Sequence, residues 1–179
     1  MSRSAPSSKR RAARLVRLYL VRHAIAEARG SAWPDDTLRP LTREGRARMR
    51  RIVRGLRGLG VELDVVLTSP LVRAKQTADI LVAGLKPKPV LVETSSLAPG
   101  QPHRGVLRAL APYRRAQAVA LLGHEPDLGT FAAFLLGASQ PLEFKKGGVC
   151  CCETSKLPPD GDVRLLWHAT PRMLRRVGE

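Results

Sequence analysis

Three apolar runs in this chain stop abruptly at residues that carry chemistry. Leu18-Tyr19-Leu20-Val21 runs into Arg22-His23, and Val65-Val66-Leu67-Thr68 runs into Ser69-Pro70 with Arg73 just beyond. The third, Val119-Ala120-Leu121-Leu122-Gly123, runs into His124-Glu125-Pro126. Short continuous apolar runs bounded by turn residues are the pattern of strands buried on both faces of a parallel sheet. Between the first two, Met49, Ile52, Val53 and Leu56 recur at helical spacing, while Arg43, Arg46, Arg50, Arg54 and Arg57 fall largely on the other face. Thr42 stands as the N-cap of that helix with Glu44 in its first turn, and Gly58 and Gly60 end it. Ser69-Pro70 predicts a second helix, capped by the serine hydroxyl with the proline at its first position. Its buried stripe is Leu71, Ala74, Ala78, Leu81 and Leu85, and Arg73 lies off it.

Further on, Pro87 to Thr94 reads as extended, Pro102 to Ala111 as a short helix, 117–123 as a strand and 126–136 as a helix. Gly147 to Thr154 and Val163 to His168 flank Leu157-Pro158-Pro159-Asp160-Gly161, the pattern of a hairpin, and Arg172 to Val177 forms a last helical turn. The alternation predicts an α/β fold: a single-domain three-layer α/β/α sandwich, its sheet mostly parallel with an antiparallel strand near the C-terminus. The domain is expected over 15–179, after a disordered basic tail at 1–14 rich in Ser, Ala, Pro and cations.

Charge adds a bias toward anionic partners. Among 179 residues, 31 Lys and Arg face 15 Asp and Glu, a net charge of +16. Such a surface speaks for anion capture and says nothing about fold. Nothing approaches the length of a membrane span, and the apolar run near the N-terminus is broken by Arg14 and Arg17, which makes a poor secretory leader. The cysteines are consecutive, Cys150 to Cys152, without the spacing of a zinc site. They read as small strand residues in a reducing cytosol, and no metal or cofactor is expected.

In a parallel sheet the carboxyl ends of the strands share one edge, and ligands bind there. His23, His124, Arg22 and Arg73 therefore converge, beside the N-termini of two helices that favour anions. Arginine forks match phosphate oxygens. A phosphoryl group so held can be attacked in line by a ring nitrogen of His23, while His124 donates to an equatorial oxygen. Arg22 and Arg73 would keep the free His23 neutral. His103 and His168 have no comparable setting and read as surface or packing residues.

Val21-Arg22-His23-Ala24, Arg39-Pro40-Leu41-Thr42 with Gly45, Ser69-Pro70-Leu71-Val72-Arg73-Ala74-Lys75-Gln76-Thr77-Ala78 and Gly123-His124 together resemble the histidine phosphatase superfamily. The short length and the segment from Phe144 to Cys152, with Leu166-Trp167 and Pro171, are most similar to its SixA-type phosphohistidine phosphatase branch. The resemblance implies that His23 accepts the phosphoryl group, that Arg22, Arg73 and His124 form the phosphate pocket, and that Arg39 borders it. It also exposes two departures. The family's Arg-His-Gly is Arg-His-Ala here, and the methyl of Ala24 disfavours positive φ, so the turn must adopt another conformation or carry strain. Larger members carry a carboxylate on an insertion to protonate an alkoxide leaving group. Here that region, 93–100, is short, and Glu93, Glu125 and Asp127 are weak candidates for the acid. Without a strong acid, an imidazole leaving group suits the site better than an alkoxide does.

The implied partner is a phosphohistidine-bearing protein or a small phosphate anion, with no membrane and only weak, non-specific nucleic-acid binding. A broader phosphatase of small phosphoesters or polyphosphate remains open. So does a basic nucleic-acid-binding module, although two Trp, two Tyr and three Phe offer few stacking platforms.

Overall fold

The computed structural model describes residues 15–179, and the tail expected at 1–14 lies outside the described residues. The chain runs β1 (Val16–Arg22), α1 (Arg43–Gly58), β2 (Val65–Thr68), α2 (Val72–Gly84), β3 (Val90–Glu93), α3 (His103–Leu110), β4 (Ala118–Gly123) and α4 (Asp127–Leu136). A hairpin of β5 (Val149–Thr154) and β6 (Val163–Ala169) follows, and α5 (Pro171–Val177) ends it. The six strands form one sheet in the order β3-β2-β4-β1-β5-β6. β3, β2, β4 and β1 are mutually parallel, whereas β5 is antiparallel to both β1 and β6. The antiparallel strand thus lies inside the sheet, and β6 forms the edge.

Side-chain alternation along the strands divides the core in two, since successive residues face opposite sides of a sheet. Leu18 and Leu20 of β1, Leu121 of β4 and Cys150 and Cys152 of β5 meet α3 and α4 through Val106, Leu110, Leu128 and Phe131. Tyr19, Val21, Leu122 and Cys151 face the other way, onto Met49 and Ile52 of α1, Ala78 and Leu81 of α2, and Leu174 of α5. The three-layer expectation holds, with α1, α2 and α5 on one face and α3 and α4 on the other. All three thiols are free and buried, and the Cys150 and Cys152 sulfurs lie 3.7 Å apart on one face of β5. No described helix is long and apolar enough to cross a membrane.

Helix α1 starts as its sequence predicts, with the Thr42 hydroxyl accepting the Gly45 N–H at 2.8 Å. Helix α2 does not. It begins at Val72, with Leu71 in the cap position and no side-chain cap, so Pro70 lies outside it. The Ser69 hydroxyl is held instead by the Leu71 N–H at 3.3 Å and by the ring of His124 at 2.8 Å. The hydroxyl thus serves a local turn and a tertiary partner at once, with 69–71 outside the helix. Helix α4 starts at Asp127, also without a side-chain cap.

Candidate active site

The carboxyl edge of the sheet gathers the predicted residues. The His23 N–H donates to the Gly123 carbonyl at the end of β4, and the Gly147 N–H donates to the carbonyls of Arg22 and His23, each at 3.1 Å. His23 therefore stands on backbone pinned from both neighbouring strands. Its ring lies 5.1 Å from that of His124, centroid to centroid. His23, His124, Arg73 and Arg39 are all buried, with 6%, 4%, 2% and 7% of their surface exposed. Arg22 is half-buried.

Hydrogen bonds set the chemistry of the two imidazoles. His23 Nδ1 lies 2.7 Å from the Ala24 carbonyl, which can only accept. Nδ1 therefore carries the proton, and the lone pair is on Nε2. His124 contacts Ser69 Oγ through Nε2, and its Nδ1 is buried with no partner. Burial pushes His23 down to about 4, only partly offset by its bond to Ala24, and the charges of Arg73, Arg22 and Arg39 add to the depression. Burial likewise takes His124 down to about 3, with His23 and Arg73 contributing. Both rings are neutral at pH 7. Sequence reasoning assigned the neutrality of His23 to the arginines, but desolvation is the larger cause.

The arginines are held in two different ways. An Arg22 terminal nitrogen donates to the Phe144 carbonyl at 2.5 Å. Arg73, on the first turn of α2, donates to the Asp36 carbonyl at 2.7 Å and pairs with the Asp36 carboxylate at 3.0 Å. Asp36 also takes Arg39 Nε at 2.8 Å and Arg29 Nε at 3.1 Å, while a second Arg39 nitrogen reaches the Glu27 carbonyl at 2.7 Å. Burial alone would raise the Asp36 carboxyl. The bond from Arg39 and the charges of Arg73, Arg39 and Arg29 outweigh it and hold the group below the usual carboxylate range. Asp36 is thus the candidate site residue that the sequence alone does not single out, since it is one of three acids, with Glu27 and Asp35, in the loop after β1. The usable signal was its place three residues before Arg39 in a turn-rich segment.

Ala24 resolves without strain. No described residue other than glycine has positive φ, and the Ala24 N–H donates to Thr77 Oγ1 at 3.1 Å. The three carboxylates considered as acids are engaged elsewhere. Glu93 pairs with Lys75 at 2.8 Å, Asp127 accepts the Gly100 N–H at 2.9 Å, and Glu125 accepts the Phe144 N–H at 3.2 Å. Burial raises the Glu125 carboxyl, and a further backbone bond from Gly129 opposes that rise. The start of α4 also narrows the expectation of an anion site there. The Leu128 and Thr130 N–H groups already donate to the carbonyls of His124 and Pro126, which leaves its first turn fewer amides for an anion. The positive field comes mainly from the arginines. His103 packs on Phe131 and Phe134, and His168 packs on Phe144, as packing residues would. Among the described residues, no group of three or more His, Cys, Asp or Glu could hold a metal ion.

Comparison with known proteins agrees with this fold. The family model of the histidine phosphatase superfamily (branch 1) matches residues 18–95. An uncharacterised protein of Picosynechococcus is 41% identical over 141 residues, covering 74% of this chain and 81% of its own. The phosphohistidine phosphatase SixA of Escherichia coli is 25% identical over 166 residues, covering 89% of this chain and 97% of its own. Among solved structures, a protein histidine phosphatase SixA complexed with tungstate superposes with a TM-score of 0.77 at 24% identity, over 88% of this chain and 98% of that one.

Proposed function

The chain belongs to the histidine phosphatase superfamily, branch 1, and on that premise we propose that it hydrolyses protein phosphohistidine through a phosphoryl intermediate on His23. One observation carries the reading. The buried side-chain nitrogens and oxygens without a hydrogen-bond partner, among the described residues, are Arg22 Nε, Arg73 Nε and His124 Nδ1. Native interiors leave few such atoms, and these three belong to residues of one site. Buried donors from two arginines and a neutral imidazole suit a tetrahedral oxyanion.

In the first step the His23 Nε2 lone pair attacks phosphorus in line, and the bond from phosphorus to the substrate's imidazole breaks. With the substrate ring protonated on its other nitrogen, the departing imidazole leaves as a neutral base and needs no proton from the enzyme. In the second step water attacks the same phosphorus, the Nε2–P bond breaks, and inorganic phosphate leaves. Arg22, Arg73 and His124 bind the equatorial oxygens, where charge must be stabilised. If the Ser69 hydroxyl donates to His124 Nε2, Nδ1 carries the proton offered to the phosphoryl oxygen. Arg39 acts through Asp36 rather than as a direct ligand.

The leaving group is inferred from the carboxylates. Asp36, whose charge reaches His124, is held ionised by its arginines, and Glu93, Glu125 and Asp127 are otherwise engaged. The segment after β3 holds only the short turn Ser95–Leu97 before α3 and brings no acid of its own. No strong proton donor serves an alkoxide, whereas an imidazole already protonated on its other nitrogen departs without one. Three buried free thiols suit a reducing cytoplasm, and the reading requires no metal.

The test is phosphate release in EDTA from a phosphohistidine-bearing protein, with phosphoserine and a sugar phosphate alongside. Selective loss of phosphohistidine is expected. Efficient hydrolysis of the alkyl esters would replace this reading with that of a general phosphoester phosphatase.

A further inference from the structure

Beside the catalytic edge, on the α1 and α5 side of the sheet, an open cavity of about 390 Å³ shares Arg22 and Ala24 with the site. Four segments of chain bring five cations to its lining: Arg22 from β1, Arg48 from α1, Lys145 and Lys146 from the loop before β5, and Arg175 from α5. Among the described residues, no carboxylate lines it. The close approach of α1 is built in, because a Cβ at Gly45 would overlap the Ile25 carbonyl. Elsewhere on this basic chain some cations meet acids, while others, Arg50, Arg54 and Arg57 of α1 among them, have no ion pair among the described residues but are not gathered from several segments around one acid-free concavity. Arg17 and Arg164 converge on Glu153, and Lys156 pairs with Asp160. In the cavity, Arg48 and Lys145 have partners outside the lining, Glu44 and Glu143, while Arg22, Lys146 and Arg175 have no ion pair among the described residues. Like charges held around one concavity repel one another, and the arrangement costs stability unless an anion relieves it.

We propose that this cavity is a docking subsite for acidic side chains of the substrate protein, close in space to its phosphohistidine. The proposal rests on the phosphohistidine reading above and names what the substrate must offer beyond the phosphoryl group. Charge complementarity selects the occupant, and Arg22 ties the two sites, since one face of its guanidinium serves phosphate and the cavity opens beside it. Carboxylates seated here would steer encounter and fix the approach of the phosphohistidine, as charged rims do at protein interfaces. The half-buried Ile25 and Pro171 give the stems of those side chains an apolar surface to cover, over the fully buried Met49 and Ile52.

The test uses two synthetic phosphohistidine peptides, one with glutamates flanking the phosphorylated residue and one with serines, on wild type and on Lys146→Glu/Arg175→Glu. Wild type should prefer the glutamate peptide by about tenfold in kcat/KM at low ionic strength. The variant should bring that preference to within about twofold while turning over the serine peptide as before, which also shows it is folded. The milder Lys146→Ala/Arg175→Ala should fall between. No preference in wild type, or an undiminished preference in both variants, would overturn the proposal. If wild type hydrolyses neither peptide, the phosphohistidine reading fails by itself. The cavity is then judged by fluorescence anisotropy of an unphosphorylated, labelled glutamate peptide. Binding lost in Lys146→Glu/Arg175→Glu supports it, and equal binding overturns it. Duplex DNA that binds more tightly than the peptide, and is lost in the same variant, would assign the cavity to nucleic acid and overturn it as well.

Discussion

The strand ends and the loop between β1 and α1 hold their functional side chains by opposite means. His23 and His124 stand on backbone locked into the sheet, with rings buried and neutral, and each ring is oriented by a single hydrogen bond, to Ala24 or to Ser69. Arg73 and Arg39 are held by charge, through one loop carboxylate, Asp36, whose side chain is still 40% exposed. Packing fixes the proposed nucleophile, and an ion-pair network fixes part of its proposed electrostatic cradle. A strand end cannot move without disturbing the core. A loop clamp can loosen, and losing one partner leaves a buried guanidinium uncompensated.

The strongest blow to the first region is His23→Ala. Turnover of any phosphorylated substrate should fall by at least about 10⁴-fold, as when a nucleophile is removed from a concerted set. Tungstate should still protect the variant in thermal melts, because Arg22, Arg73 and His124 persist. Turnover within about a hundredfold of wild type in that protein would end the nucleophile assignment. Arg73→Ala should lower kcat on the order of 10²- to 10³-fold, as does loss of one oxyanion donor. Steady-state kinetics at saturating substrate would show whether the effect lies there or only in KM.

Breaking the clamp while sparing the arginines sharpens the contrast. Asp36→Asn keeps shape but removes the charge, and kcat/KM should drop about ten- to a hundredfold through misplacement of Arg73. Free phosphate, as a competitive inhibitor, should lose affinity in the same variant. Unchanged kinetics would mean that the loop merely decorates the site.

The imidazoles can be read directly by ¹⁵N NMR titration. With His23 depressed to about 4 and His124 to about 3, neither should titrate between pH 5 and 8 in the free protein. The sign for stability follows. A folded pKa below the unfolded value near 6.5 means that the unfolded chain binds more protons, so stability is present above that pH. It falls as the solution is acidified from about 6.5 toward 4. A His23 midpoint near 6.5 would contradict the buried, neutral nucleophile.

The smallest change is Ala24→Gly, which restores the family's usual residue. Since the backbone there does not have positive φ, activity should stay within about twofold, and stability should fall by about 0.5–1 kcal/mol from added backbone freedom. A large gain in rate would show that the methyl obstructs the turn.

The two regions also differ in how far sequence reveals them. Apolar runs ending in Arg22-His23 and Gly123-His124 locate strand ends because burial on both faces leaves a continuous hydrophobic signature, and the sheet's own geometry then brings those ends together. The stripe of Met49, Ile52, Val53 and Leu56 was equally plain. Ser69 shows where local reading fails. A hydroxyl before proline and an apolar run looks like a helix cap, but it accepts the Leu71 N–H outside the helix and contacts the ring of His124, 55 positions away in sequence. Asp36 fails for a related reason. Nothing in a polar turn-rich loop says which carboxylate returns to the site, because that depends on where Arg73 stands after folding. The origin of the neutral His23 was likewise misjudged. Charge is visible in a sequence and desolvation is not.

The most direct test of the central claim is to quench the enzyme during turnover of a phosphohistidine substrate and locate bound phosphate by mass spectrometry under alkaline conditions. The account predicts phosphate on the peptide containing His23, formed within one turnover and lost as inorganic phosphate is released. Phosphate on His124 alone, or turnover with no phosphorylated enzyme at any time, would contradict it.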